Sequence, residues 1–126
     1  MREESVSSYR SSNAFQLTRS LLVGVYTCTE DLAGNGEPPV RALRRASLAA
    51  VARLAEAAGR DAGADEERRV CLVRAREALR EVALYLNVCQ LRGHLPTMTA
   101  AALIGEQAEA AAEIERAIAA GRAIAS

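Results

Sequence analysis

Three cysteines and a single histidine are the residues of this chain with the most reactive side chains: Cys28, Cys71, Cys89 and His94. A nucleophilic cysteine needs a histidine brought beside it, and only His94 could serve any of the three. A metal site in a helical protein needs carboxylates and histidines repeating on one face, in a Glu-x-x-His pattern. No Glu stands three residues before His94, and the glutamates near the C-terminus fall on one outward stripe. The stretch GNGEPP, Gly34 to Pro39, holds two glycines but lacks the Lys-Ser/Thr step of a phosphate-binding loop. It reads as a turn, His94 as a loop or capping residue, and the cysteines as small hydrophobes on apolar faces. No catalytic set and no cofactor site is expected, so the chain is read as a non-enzyme.

The arginines carry the other possible chemistry. All sixteen basic residues are Arg, five of them within VRALRRASLAAVARLAEAAGR, positions 40 to 60. Arginine suits phosphate and carboxylate partners alike. Sixteen acidic residues balance them, and the pI is near 6.6, so the chain has no long-range pull on a polyanion. Arg41, Arg44 and Arg45 are the candidate nucleic-acid contacts. Arg74, Arg76 and Arg80 alternate with Glu77 and Glu81 and are expected to pair locally. Tyr9, Phe15, Tyr26 and Tyr85 are the whole aromatic set, too few for a base-stacking surface.

The elements that must hold these residues are helical. At 126 residues the chain fits one domain, half of it hydrophobic, with 27 alanines and no tryptophan. Alanine favours helix and buries little area per residue. No segment alternates with a two-residue period, whereas apolar residues recur at three- and four-residue steps in four stretches. Helices are therefore expected at about 13–32, 38–59, 65–92 and 97–124, after a flexible polar segment at 1–12. Pro38 or Pro39 opens the second, Asp65 caps the third, Gly93 closes it, and Thr97 or Thr99 caps the fourth.

On the first helix Ala14, Leu21, Val25, Cys28 and Leu32 are expected to face inward. On the second the inward set is Val40, Leu43, Ser47, Ala50, Val51, Leu54 and Ala58, with Arg41, Arg44 and Arg45 on the opposite side. The third helix turns Leu72, Ala75, Leu79, Val82, Ala83, Leu86 and Cys89 inward. It also carries a second apolar stripe, Val73, Leu84, Val88 and Leu91. A second stripe asks for a second partner, and self-association is the commonest. Leu103, Ala110, Ala111, Ile114 and Ile118 face inward on the fourth. The fold class is all-α, an antiparallel up-down-up-down four-helix bundle. The odd cysteine count, the absence of a signal-peptide pattern and the short apolar runs point to a reduced, cytoplasmic chain with no membrane partner.

The order of several segments resembles a known family. AFQLTRSLLVGVY in the first helix, RRA at Arg44 to Ala46, AEAAGR at Ala55 to Arg60 and GHL at Gly93 to Leu95 follow one another as in a four-helix-bundle family. That family comprises proteins encoded in intervening sequences of bacterial large ribosomal RNA genes and accessory variability determinants of diversity-generating retroelements. The resemblance implies a homopentameric ring and a non-enzymatic role, and the chain is read as a self-associating scaffold or adaptor. The alternative it implies is an accessory subunit that binds a reverse transcriptase together with RNA or DNA.

Overall fold

The computed structural model describes residues 2–33, 36–59 and 65–125, with side chains described over 13–31, 36–59 and 65–121. All of its elements are helices: α1 Arg2–Cys28, the single turn α2 Glu30–Ala33, α3 Pro38–Ala58, α4 Asp65–Leu91 and α5 Thr97–Ala125. The bounds of α3, α4 and α5 fall within one residue of those read from the sequence. The first helix differs, for it begins at Arg2 and takes in the polar opening that composition set apart. Asp65 and Thr97 stand as first helical residues rather than as caps, a one-residue difference of the kind helix ends always carry.

Each long helix touches two others. α1 packs on α3 and α5, and α4 packs on α3 and α5, so α1 and α4 occupy opposite corners of a square. Cross-helix pairs fix the directions. Asn13 donates to Glu113 Oε1 at 2.8 Å, and a Cβ added at Gly24 would lie 2.9 Å from Leu103, so α1 and α5 run antiparallel. Arg76 meets Glu115, and Gln107 donates to the Leu79 carbonyl at 2.9 Å, giving the same sense to α4 and α5. The expected four-helix bundle is the observed one.

The core holds Leu21, Leu43, Leu54, Leu79, Leu86 and Ile114 with no exposure to speak of, and small residues separate them. Ala46, Ala50 and Ala57 of α3 and Ala75 and Ala78 of α4 are all buried. The first helix corrects one expectation. Cys28 is exposed, and Thr29 is the buried residue at that level, with Thr18 buried two turns above Val25's side of the helix. Each threonine hydroxyl donates to the carbonyl four residues earlier, Thr18 to Ala14 at 2.8 Å and Thr29 to Val25 at 2.7 Å. A polar group so satisfied can enter the core, and such back-bonding bends helices. The helical run is in fact interrupted at Thr29. On α3, Ala57 is buried where Ala58 was expected, and Val51 is half-buried.

Gly93 ends α4 as its position predicts. With φ of +79° it turns the chain, its N–H donating to Gln90 and that of His94 to Cys89, at 3.0 and 2.8 Å. This is the Schellman arrangement that satisfies the last carbonyls of a helix. Gly93→Ala should therefore lower unfolding stability by about 1–2 kcal/mol, the cost of a Cβ in the left-handed region. Nothing crowds that Cβ position, so a chemical denaturation midpoint reads the backbone term alone.

Candidate interaction surface

The side of α4 turned away from the core carries the stripe. Leu84 is 55% exposed and Leu91 is 81% exposed, while Val73 and Val88 are half-buried. Val73 is packed partly against the core, so it contributes one edge of its side chain to the surface. At 100° per residue these four lie within a 60° arc of the helix opposite Leu72, Leu79 and Leu86. Val70, 38% exposed, joins the same arc and was not singled out from the sequence. Its signal was present, one three-residue step before Val73.

The arginines do not form the expected single face. Arg41 donates to the Gly36 carbonyl at the start of α3. Arg44 lies half-buried with its guanidinium 4.0 Å over the Tyr26 ring, on the side of α3 that meets α1. A cation over an aromatic face is worth about 0.5–1 kcal/mol at such a site. Arg45 lies on the other flank, in an open groove between α3 and α4 with Ala42, Ala49, Ala78, Glu81 and Tyr85. The three point to three places. The expectation that they gather opposite the core fails for Arg44, because a residue 90° from the centre of the buried face sits at the seam between helices.

The second arginine group also differs from its reading. Arg76 reaches across to Glu115 of α5, 2.9 Å away, instead of pairing along its own helix. Among the described residues, Arg74, Glu77, Arg80 and Glu81 have no ion-pair partner within 4.0 Å in the chain.

His94 sits in the α4–α5 turn, as a capping residue should, with its backbone bonded to Cys89 and its Nε2 3.9 Å from Glu37 Oε2. Cys71 and Cys89 are buried and all three thiols are free. Burial pushes the Cys89 thiol up, which favours its neutral form and lowers its reactivity. Among the described residues, no three His, Cys, Asp or Glu side chains are placed to hold a metal ion, and no helix is long and apolar enough to cross a membrane.

Compared with known proteins, the chain matches no family, no curated protein and no solved structure. The surface itself is therefore the ground for a functional reading.

The thiols give a direct check on the packing. One equivalent, Cys28, should react with a maleimide or disulfide reagent in seconds to minutes at neutral pH. Cys71 and Cys89 should react at least tenfold more slowly and become equal to Cys28 only in denaturant. Three equally fast thiols would place the α4 core face in water.

Proposed function

We propose that this protein is a non-catalytic scaffold that self-associates through the outward face of α4. The observation that carries this reading is the exposure of Leu84 and Leu91 on a helix whose opposite side is already fully committed to the core. Single exposed apolar residues are ordinary, but a row of them along one helix marks a contact surface. The family resemblance supports the same class of protein; the closed ring of five copies that it implies would need a head-to-tail contact in addition to any two-fold contact through α4. The shallow alanine-rich core supports it on energetic grounds, because a small domain gains buried area by association.

The accessory-subunit reading, in which Arg41, Arg44 and Arg45 grip the phosphates of RNA or DNA, draws no support from their geometry. Arg44 is held over Tyr26 and Arg41 on the Gly36 carbonyl. The adaptor role leaves the faces of α1 and α5 for a protein partner.

Leu84→Glu should cut the native mass measured by light scattering to that of one chain, 13.4 kDa. Unfolding stability of the single chain should change by no more than about 0.5 kcal/mol, as for other surface substitutions. An assembly mass unaltered by Leu84→Glu would remove α4 from the contact.

A further inference from the structure

The outward face of α4 has a heptad of its own. Val70, Val73, Glu77, Arg80, Leu84 and Leu91 follow one another at three- and four-residue steps, with Asn87 filling the step between the last two. That is the spacing of a coiled-coil seam. Every member is exposed or half-buried, so this seam is separate from the one that Leu72, Leu79 and Leu86 turn into the bundle. It runs for about 30 Å at 1.5 Å per residue. Its middle is not apolar. Glu77 and Arg80 interrupt it there, both exposed and neither with an ion-pair partner in the chain among the described residues.

We infer that this seam binds the same seam of a second copy, antiparallel, about a two-fold axis crossing the helix between Ala78 and Leu79. The inference rests on the proposed self-association through α4 and supplies its register and symmetry. In that register Glu77 faces the partner's Arg80, and the symmetry gives the same pair a second time. Val73 lies opposite the partner's Leu84, and Val70 opposite the partner's Asn87. On the flank that faces α3, Arg74 falls beside the partner's Glu81. Arg76 is held by Glu115 of its own chain, so each charged position of the two central turns has the opposite sign beside it, while Leu91 at the end of the seam falls opposite the partner's Glu66.

Competing arrangements fail on the same residues. A parallel pair stacks Glu77 on Glu77 and Arg80 on Arg80 at the centre of the seam; like charges so placed are destabilising. A wholly apolar partner would leave Glu77 and Arg80 only each other, three residues apart on one helix, and would still take both ions out of water, which costs several kcal/mol per ion before any gain. A nucleic acid would meet Glu77 and Glu81. A second copy satisfies both charges at once, and polar groups inside a seam are what fix orientation and register. The location allows it, since α4 stands at a corner of the bundle with α1 at the far corner.

The symmetry has a consequence for assembly. A two-fold contact is used up by one partner, so α4 alone closes the assembly at two copies. A ring of five would need a head-to-tail contact on other surfaces.

The test uses the full chain with Cys28→Ser, which removes the exposed thiol and leaves Cys71 and Cys89 buried. Val73→Cys and Leu84→Cys are made as separate variants, then oxidised alone and after co-refolding as a mixture. The expected result is a covalent dimer from the mixture and none from either variant alone. Alongside, Glu77→Arg should weaken association at least tenfold, and Glu77→Arg with Arg80→Glu should restore it. Circular dichroism checks that each variant keeps its helices. Self-linking of Val73→Cys would overturn the antiparallel register in favour of a parallel one. An assembled wild-type chain lost on Leu84→Glu, yet with no link in the mixture and no rescue by the charge swap, would overturn this register while leaving self-association through α4 in place. A monomeric wild-type chain would overturn both.

Discussion

Close approach of helices through alanine is the constraint on which this molecule depends. With one phenylalanine and no tryptophan, the bundle cannot fill a wide interior. Ala46, Ala50 and Ala57 on α3 and Ala75 and Ala78 on α4 are buried, and side chains this small let neighbouring helices pack closely. Gly24 does the same for α1 and α5 beside Leu103. The large side chains that remain, from Leu21 to Ile114, then reach one another across a narrow core. Each buried leucine or isoleucine contributes about 1.5–3 kcal/mol, whereas each alanine contributes much less. A core of this kind is well packed but small in area. Apolar residues on the outside of α4 fit that condition, because buried surface gained between copies adds to what one chain can bury within itself.

Much of the fold was legible because the punctuation is strong. Pro38 fixes the start of α3, Gly93 supplies the one positive φ at the end of α4, and the apolar residues between them keep a helical period. Most of the interior of α4 and α5 followed from spacing, although Ala83 and Ala111 are only half-buried and Cys71 and Ala78 are buried beside the expected set. What was not legible came from groups that satisfy themselves locally. Thr29 takes the buried place expected of Cys28 because its hydroxyl reaches the Val25 carbonyl, an option invisible to a hydrophobicity count. Gln107 is buried between Leu103 and Ala110 because its amide finds Leu79 across the interface. The helical reach of α1 back to Arg2 was missed because polar residues give no apolar period to follow.

The surface was legible in part. The stripe on α4 was visible as Val73, Leu84, Val88 and Leu91, although the two valines turn out to share their area with the bundle. Arg44 was misplaced because a helical wheel gives an angle and says nothing of the neighbour waiting there, in this case the Tyr26 ring. Arg76 likewise left its own helix for Glu115. That departure, with Glu77 and Arg80 left without an ion-pair partner among the described residues, is the ground for proposing a seam with a direction. Charge in the middle and apolar side chains to either side define both what the surface excludes and what it accepts.

The most direct measurement is the native mass of the unaltered chain by light scattering, at low and at high salt. A two-fold contact through the α4 seam predicts twice the 13.4 kDa chain mass at both, with the dimer weakened by salt through its Glu77–Arg80 pairs and retained through its two Val73–Leu84 layers. A single-chain mass at both salt concentrations, at tens of micromolar protein, would contradict it.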